Sequence, residues 1–230
     1  MTSAILPSSS LAADLKAFTA TAHERAEEST FMTDLLDGKL SAHDFLRLQE
    51  QAWFFYSALE EAAHCVSHGE RAGLIVDEAL DRTAALESDI AYLHRQFYGE
   101  GAAEEGTRQW RANVTPIPAT VEYVERLQRI RDERDEIRLI AHHYVRCLGD
   151  LSGGQVIATM MRRNYGIAPE ALQFYRFEGI AKLKPYKDNY RKNLDAMRLN
   201  PAERQTLLEE ATEAFVLNMN VFAGLERGEK

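Results

Sequence analysis

The sequence predicts a single all-α domain. Apolar residues recur at helical spacing along most of the 230 residues, as in the run Phe45, Leu48, Ala52, Phe55 and Leu59. Only 13 glycines and 6 prolines interrupt the chain, which favours long helices joined by short connections. A hydrophobic content of 45% with 27% charged residues is typical of a globular protein with one well-formed core.

Charge and cysteine content argue against several classes of protein. The net charge is −9, whereas nucleic-acid binders need a basic footprint. No stretch approaches the roughly 20 apolar residues of a membrane span, and the N-terminus lacks the features of a signal peptide. The two cysteines lack metal-ligand spacing and suit a reducing compartment. We therefore expect a cytoplasmic protein that binds neither nucleic acid nor membrane.

The ends of the chain are expected to be loosely packed. Residues 1–11 are interpreted as a flexible arm, residues 12–225 as the folded domain and residues 226–230 as a flexible tail. The first helix is predicted from about Ala12 to Glu28 and is capped by Ser10 or Asp14.

One histidine of this first helix has neighbours that suit a ligand. His23 lies near the apolar stripe, where a histidine is more often a core or boundary residue than a ligand. Glu27, one turn later, could orient the ring through Nδ1, as the hydrogen-bond partners of ligating histidines do. Lys16, two turns earlier on the same side, could reach an anionic group. From spacing alone, both interpretations of His23 stay open.

Three helices are predicted in the middle of the chain. The first carries the N-terminal capping signature SAHD, and Tyr56 within it is either a boundary tyrosine or a site residue. The loop GEGAAEEG, from Gly99 to Gly106, is expected to be mobile, and Trp110 should anchor the chain after it. The predicted helices are Ser41–Val66, Leu74–Tyr98, and Val121–Asp132 with Thr120 as its cap.

The last two helices follow a similar logic. A helix is predicted to begin near Glu178 or later, and Pro185 should either start it or kink it. This helix carries the most basic patch of the chain, with Lys187 and Arg191 on one face. The final helix should run from Pro201, with Asn200 as its cap, to about Leu225.

The stretch Ala141–Tyr165 carries the strongest functional signal. Three glycines, each costing about 1 kcal/mol in a helix interior, interrupt a good helical pattern. Gly149 and Gly153 are four apart and share one face, which would let something large and flat approach the backbone. Arg146 and Asp150 lie beside that face. Spacing alone leaves open one interrupted helix or two helices joined by a Ser-Gly-Gly loop.

These residues resemble a known family. The run LGDLSGGQ after HHYVR resembles the distal-helix motif of the haem (heme) oxygenases. The pattern K-x6-H-x3-E, at Lys16, His23 and Glu27, resembles their proximal helix. The likeness extends through RLQEQAWFFYSALEEA and EATEAFVLNMNVF, and is to the soluble bacterial, actinobacterial-like type. It implies a single-domain multi-helix fold with haem between a proximal helix and a glycine-kinked distal helix.

The resemblance also implies residue roles. It makes His23 the axial iron ligand and passes Gly149 and Gly153 over the haem. Tyr56, Arg146 and Asp150 would hold water above the iron, and Asp150 would relay a proton through it. The family's propionate-binding Lys and Arg match Lys187 and Arg191. The full set of expected haem contacts outside the catalytic group is Lys16, Glu27, Met32, Tyr144, Ser152, Gly154, Lys187, Arg191 and Phe215.

The implied activity is oxidative cleavage of haem, at the α-meso carbon, to biliverdin, ferrous iron and carbon monoxide. Haem would be cofactor and substrate, with O2 and with electrons from an external reductase or ferredoxin. We expect a monomer. Two other classes are a haem carrier or sensor, and a thiaminase-like helical protein without haem. The complete motif with Arg146 favours the enzyme, because a carrier needs no proton relay.

Overall fold

The structure is a computed structural model that describes residues 10–99 and 110–228. Within these ranges the chain is helical, with short 3-10 turns between the main helices and no strand. None of the helices in the described part is long and apolar enough to cross a membrane. The helices are α1 Leu11–Glu27, α2 Thr30–Leu36, α3 Ala42–Val66, α4 Thr83–Tyr98, α5 Pro118–Glu133, α6 Glu136–Tyr165, α7 Leu183–Ala196 and α8 Pro201–Glu226.

Two helices organise the core. Helix α8 packs against α1, α5 and α6, and α3 packs against α4, α5 and α6. Leu15, Phe45, Leu93, Ile140 and Leu207 are each completely buried where these helices meet. The helix that carries His23 and the helix that carries the glycines therefore share α8 as a common support.

Local capping signals are confirmed where the cap and the helix are neighbours in sequence. Ser41 and Asp44 form a reciprocal capping box at the start of α3, and Asn200 forms another at the start of α8. The Ser10 hydroxyl accepts a hydrogen bond from the backbone N–H of Ala13, at 3.1 Å, and caps α1.

The boundaries at the chain ends differ slightly from expectation. Leu11 begins α1 and is buried, so it belongs to the core and not to a flexible arm. Helix α8 runs one residue past the predicted end of the domain, to Glu226. Some predicted segments lie outside the described residues: residues 1–9 of the arm, residues 100–106 of the mobile loop and residues 229–230 of the tail.

The predicted helix Leu74–Tyr98 is too long. Helix α4 begins only at Thr83, and 3-10 turns precede it. The carboxylate of Glu60, on α3, accepts the backbone N–H groups of Arg82 and Thr83 and so caps α4 from another helix. A cap supplied across the fold leaves no mark in the local sequence.

Helix α5 also begins earlier than predicted. Pro118 occupies its first turn, where a proline needs no hydrogen-bond acceptor for a backbone N–H. Thr120 is completely buried inside the helix, so its predicted role as the cap is wrong. Helix α7 begins at Leu183 with Pro185 in its first turn, as predicted, and Trp110 is buried in the core.

Helix α6 is one continuous helix of 30 residues that runs through all three glycines. The alternative of two helices joined by a Ser-Gly-Gly loop is therefore wrong. The Asp135 side chain caps its start, and its end is closed by Gly166 in the left-handed conformation, with φ of 65°. Buried residues on both sides of the glycines, such as Leu148 and Leu151, hold the helix in the core.

Candidate active site

Four polar residues from three helices form a connected group beside the glycines, which we call the polar network. Tyr56 donates its hydroxyl proton to Asp150, and Arg146 donates from Nε and Nη2 to the Tyr56 oxygen at 3.0 and 2.8 Å. Arg146 also donates from Nη1 to Oδ1 of Asn218 at 2.9 Å, and its Nη2 lies 3.6 Å from Oδ1 of Asp150. The structure thus brings together three of the predicted site residues, Tyr56, Arg146 and Asp150. It adds Asn218 as a fourth member.

Asn218 was missed by the sequence analysis, although a signal existed. It lies on α8 between Phe215 and Phe222, where the apolar stripe of the helix would lead one to expect a hydrophobic residue. Asn218 is 6% exposed. A buried amide needs a partner, which here is the guanidinium of Arg146.

Burial shifts the pKa values of two members of the polar network, Asp150 and Tyr56. It raises the pKa of Asp150 above its usual value, although the positive charge of Arg146 and the bond from Tyr56 oppose the rise. Burial also raises the pKa of Tyr56 well above its ordinary value of 10, so this hydroxyl keeps its proton. Arginine remains protonated in proteins. Asp150 is therefore the group in the polar network that exchanges a proton most readily.

The three glycines of α6 have different surroundings. A Cβ added to Gly149 or Gly153 would meet no other atom of the protein within 4 Å, and both residues are exposed. A Cβ on Gly154 would lie 3.1 Å from Cδ1 of Tyr175. Gly149 and Gly153 therefore form an open face, whereas Gly154 is needed for packing against Tyr175. A side chain at Gly154 would therefore point at Tyr175 and not at the open face, and a haem contact through the backbone of Gly154 stays a prediction.

His23, on α1, is contacted by two other side chains, and about half of its own side chain is open to solvent. Its side chain is 52% exposed, and its Nδ1 lies 3.5 Å from Oε2 of Glu27. The Phe215 ring packs edge to face with the imidazole at a centroid separation of 5.6 Å. Glu27 and Phe215 thus orient the ring, and Nε2 is the nitrogen that suits a ligand.

Comparisons with known proteins identify this arrangement. The family model for heme oxygenase matches residues 9–224, almost the whole chain. The chain is 36% identical to heme oxygenase 1 of Gallus gallus over 216 residues, which cover 93% of this chain and 69% of that protein.

The chain belongs to the haem oxygenase family.

Solved structures agree with this assignment. Heme oxygenase-1 of the cyanobacterium Synechocystis, crystallised in complex with heme, superposes with a TM-score of 0.84 at 29% identity, covering 95% of this chain and 93% of that one. The heme oxygenase of Leptospira interrogans superposes with a TM-score of 0.82 at 30% identity, covering 93% and 98%. The family assignment excludes the thiaminase-like alternative.

For a haem oxygenase, cations near the propionates are expected, and α6 and α7 bring several candidates together. Lys187 donates from Nζ to the Ser152 hydroxyl at 3.2 Å, which places the lysine beside the glycine-rich part of α6. The Tyr144 hydroxyl bonds the side chain of Thr19 on α1, and the positive charge of Arg191 acts on it. The predicted residues Ser152, Tyr144, Lys187 and Arg191 therefore lie where α6 faces α1 and α7.

The other predicted haem contacts are less constrained. Lys16 is exposed on α1, one turn before Thr19, and Met32 is buried on α2. Arg191 shares a 3.3 Å contact with Asp188, an exposed pair that ligand carboxylates could compete with.

Two further histidines on α6 are structural in this family member. Nε2 of His142 lies 2.9 Å from Oε1 of Glu210 on α8, and Nδ1 of His143 lies 2.8 Å from the Tyr190 hydroxyl on α7. Both histidines are buried and bonded to other side chains of the protein, so neither is available as an iron ligand.

Proposed function

We propose that this chain degrades haem to biliverdin, ferrous iron and carbon monoxide, using O2 and electrons from an external donor. Haem is both its cofactor and its substrate. The observation that carries the proposal is the combination of an open two-glycine face on α6 with the buried polar network beside it. A haem carrier would need the first feature but not the second. We assign the part of the chain from the start of α1 to the end of α8, residues 11–226, as the haem oxygenase domain.

The residues present fit a bound haem. The backbone at Gly149 and Gly153 accepts a flat ring without displacing protein atoms, since a Cβ at either position would meet none. His23 offers a half-exposed imidazole whose orientation is fixed by Glu27 and Phe215, and we assign it as the residue that would bind the haem iron. A histidine ligand lacks the electron push that a thiolate ligand would supply.

When bound, haem supplies the iron at which O2 is activated and the meso carbon that is oxidised. The protein must deliver a proton on the glycine side without exposing a strong acid there. Asp150 meets this need because burial favours its protonated form, while Arg146 and Tyr56 keep its ionised form accessible.

The other members of the polar network hold Asp150 in place. Arg146 stays charged, so it stabilises the carboxylate and does not itself donate a proton to the reaction. Tyr56 bonds both Arg146 and Asp150, and Asn218 fixes the guanidinium from the side of α8. We assign Asp150 as the proton-transferring residue and the other three as its positioning residues.

The residues that would bind the haem propionates would also determine which meso carbon is cut. Lys187 and Arg191 from α7, with Lys16 from α1 and Tyr144 from α6, are the groups we assign to the propionates. Charge-assisted bonds from such groups fix a carboxylate in direction as well as position. We propose cleavage at the α-meso carbon on the resemblance to the family.

The electron donor and the cellular setting complete the proposal. We propose that a ferredoxin or a flavin reductase supplies electrons, and that the protein acts as a monomer in the cytoplasm. The acidic net charge supports the absence of a nucleic-acid partner.

One absorption experiment tests the activity. Hemin is added to the purified protein, followed by ascorbate in air, and the Soret band and the red region are recorded. A Soret band that decays while a biliverdin band grows supports the proposal. A stable Soret band under these conditions would instead indicate a carrier or sensor, and the absence of a Soret complex would refute haem binding.

The variant Asp150→Asn tests the mechanism separately. It keeps the size of the side chain and can still accept a bond from Tyr56, but it cannot transfer a carboxyl proton. We expect haem binding to be retained, biliverdin formation to be lost, and peroxidase-like oxidation of an added aromatic donor to appear. Unchanged biliverdin production would remove Asp150 from the proton-transferring role.

A further inference from the structure

Residues 172–177, which we call the buttress turn, lie against the polar network from the side of α4. A 3-10 turn, Gln173–Tyr175, forms its centre. Cδ1 of Tyr175 would lie 3.1 Å from a Cβ on Gly154, and the ring of Phe174 packs edge to face on Tyr56 with centroids 5.1 Å apart. The buttress turn therefore contacts both the helix that carries Asp150 and the tyrosine that bonds it.

Side-chain hydrogen bonds hold Tyr175 at both ends. Gln155, on α6, donates from Nε2 to the Tyr175 carbonyl at 2.6 Å. Gln49, on α3, donates from Nε2 to the Tyr175 hydroxyl at 3.1 Å. The ring that packs against Gly154 thus has a fixed direction and position relative to α3 and α6.

Two ionisable residues buried behind the buttress turn hold its backbone, and burial raises the pKa of one of them, Asp89, to about 7. The carboxylate of Asp89 accepts the N–H of Gln173 at Oδ1 and the N–H of Phe174 at Oδ2, each at 2.8 Å. Arg82 donates from Nη1 to the carbonyl oxygens of Phe174, at 3.3 Å, and Arg176, at 2.6 Å. Asp89 is completely buried and Arg82 is 8% exposed. Burying a charge is costly unless hydrogen bonds offset the cost, and here the turn supplies several of them.

We propose that Asp89 is a positioning residue for the reaction, acting on the polar network through the buttress turn. Its two bonds hold the backbone N–H groups of Gln173 and Phe174 and so fix the turn. Phe174 and Tyr175 of that turn contact the Tyr56 ring and the Gly154 position of α6. This inference rests on the proposed haem-degrading function. It assigns an effect on the yield of biliverdin to a buried carboxylate that is not part of the polar network and does not bond Asp150.

A graded pair of variants tests the idea. Asp89→Asn keeps one acceptor oxygen for the two N–H groups, and Asp89→Ala keeps none. A matched control is Asp14→Asn, because Asp14 is also a buried carboxylate, 5% exposed. Asp14 bonds Arg204 in the first turn of α8. A loss that merely reflects stability should appear in both sets.

The first measurement uses the haem-free protein and amide hydrogen exchange. We expect Asp89→Asn to speed exchange in residues 172–177 and also in residues 149–155 of α6, with a larger effect for Asp89→Ala. Asp14→Asn should leave both segments unchanged. Faster exchange confined to residues 172–177 would overturn the proposal, because the buttress turn would then not control α6.

The second measurement separates binding from turnover. We expect the hemin dissociation constant to stay within about threefold of the parent protein, while the rate of biliverdin formation falls by about tenfold, since small misplacements of catalytic groups are costly. An unchanged rate with a loosened turn would overturn the proposal. If the parent protein itself forms no biliverdin, the proposed function fails, and the exchange result still decides whether Asp89 controls α6.

A variant on the opposite side of the contact covers the case in which the Asp89 variants do not fold. Gly154→Ala places a methyl group against Tyr175 and disturbs the same contact from α6. We expect the same pattern: near-normal hemin binding, a slower rate of biliverdin formation and faster exchange in residues 172–177. Normal turnover in Gly154→Ala together with faster exchange would refute the inference.

Discussion

The open glycine face makes a prediction in which stability and function change in opposite directions. Gly149→Ala and Gly153→Ala place a methyl group where no protein atom lies within 4 Å, so neither variant creates a clash. Alanine is favoured over glycine in a helix interior by about 1 kcal/mol. For a protein of this size, 1 kcal/mol corresponds to a rise of about 2–4 °C in the melting temperature. We therefore expect each variant to stabilise the haem-free protein by that amount.

Haem binding should respond in the opposite sense. A methyl group on a face that haem approaches closely overpacks the contact, at a cost of about 1–3 kcal/mol, or about 5- to 150-fold in affinity. Differential scanning calorimetry of the haem-free protein and Soret titration with hemin measure the two effects. Gly154→Ala is the control, because Tyr175 lies against that glycine and should remove the gain in stability. A lower melting temperature for Gly149→Ala, or unchanged hemin affinity in both variants, would refute the assignment of the open face.

Three further predictions concern the surroundings of the site. Lys187→Ala should give a mixture of biliverdin isomers on chromatography, whereas Lys192→Ala, an exposed cation on the same helix, should not. Glu210→Gln should destabilise the protein by about 3 kcal/mol at pH 7 in urea unfolding, because His142 and Arg126 hold the pKa of this buried carboxylate at about 2, against 4.5 unfolded. The contribution of Glu210 to stability is present above pH 4.5 and is lost as the pH falls towards 2. The control variant Glu213→Gln, on the exposed face of α8, should cost little stability. Burial lowers the pKa of His143 to about 4, so its protonation favours unfolding, and stability should fall by about 2 kcal/mol from pH 7 to pH 5. His143→Asn should lack that part of the pH dependence.

Local signals predicted those parts of the fold whose causes lie in neighbouring residues. The capping boxes at Ser41 and Asn200 were identified because cap and helix are three residues apart. The start of α4 was not, because the capping carboxylate belongs to Glu60 on another helix. Thr120 was mistaken for a cap because Pro118, two residues earlier, starts the helix.

The same distinction applies to the candidate site. Tyr56, Arg146 and Asp150 were grouped through a motif and are indeed bonded to one another. The three glycines looked equivalent in sequence, and only their surroundings separate an open face from the packing contact at Gly154. Asn218 was overlooked because its partner lies 72 residues earlier in the chain.

The glycines weaken α6, and its other faces are tied to the rest of the fold. Three glycines in a helix interior cost about 3 kcal/mol in total. Buried side-chain hydrogen bonds, each contributing about 1 kcal/mol, offset a loss of this size. These bonds reach three different helices: His142 to Glu210 on α8, His143 to Tyr190 on α7, and Arg146 to Tyr56 on α3.

His142 and His143 point about 100° apart, so their bonds restrain the helix in two directions. The face of Gly149 and Gly153 has no such bond, and a Cβ at either position would meet nothing. A helix held on its other sides can keep a bare backbone face in a fixed place. Helix α6 can therefore contain three glycines and still hold Asp150 at a constant position.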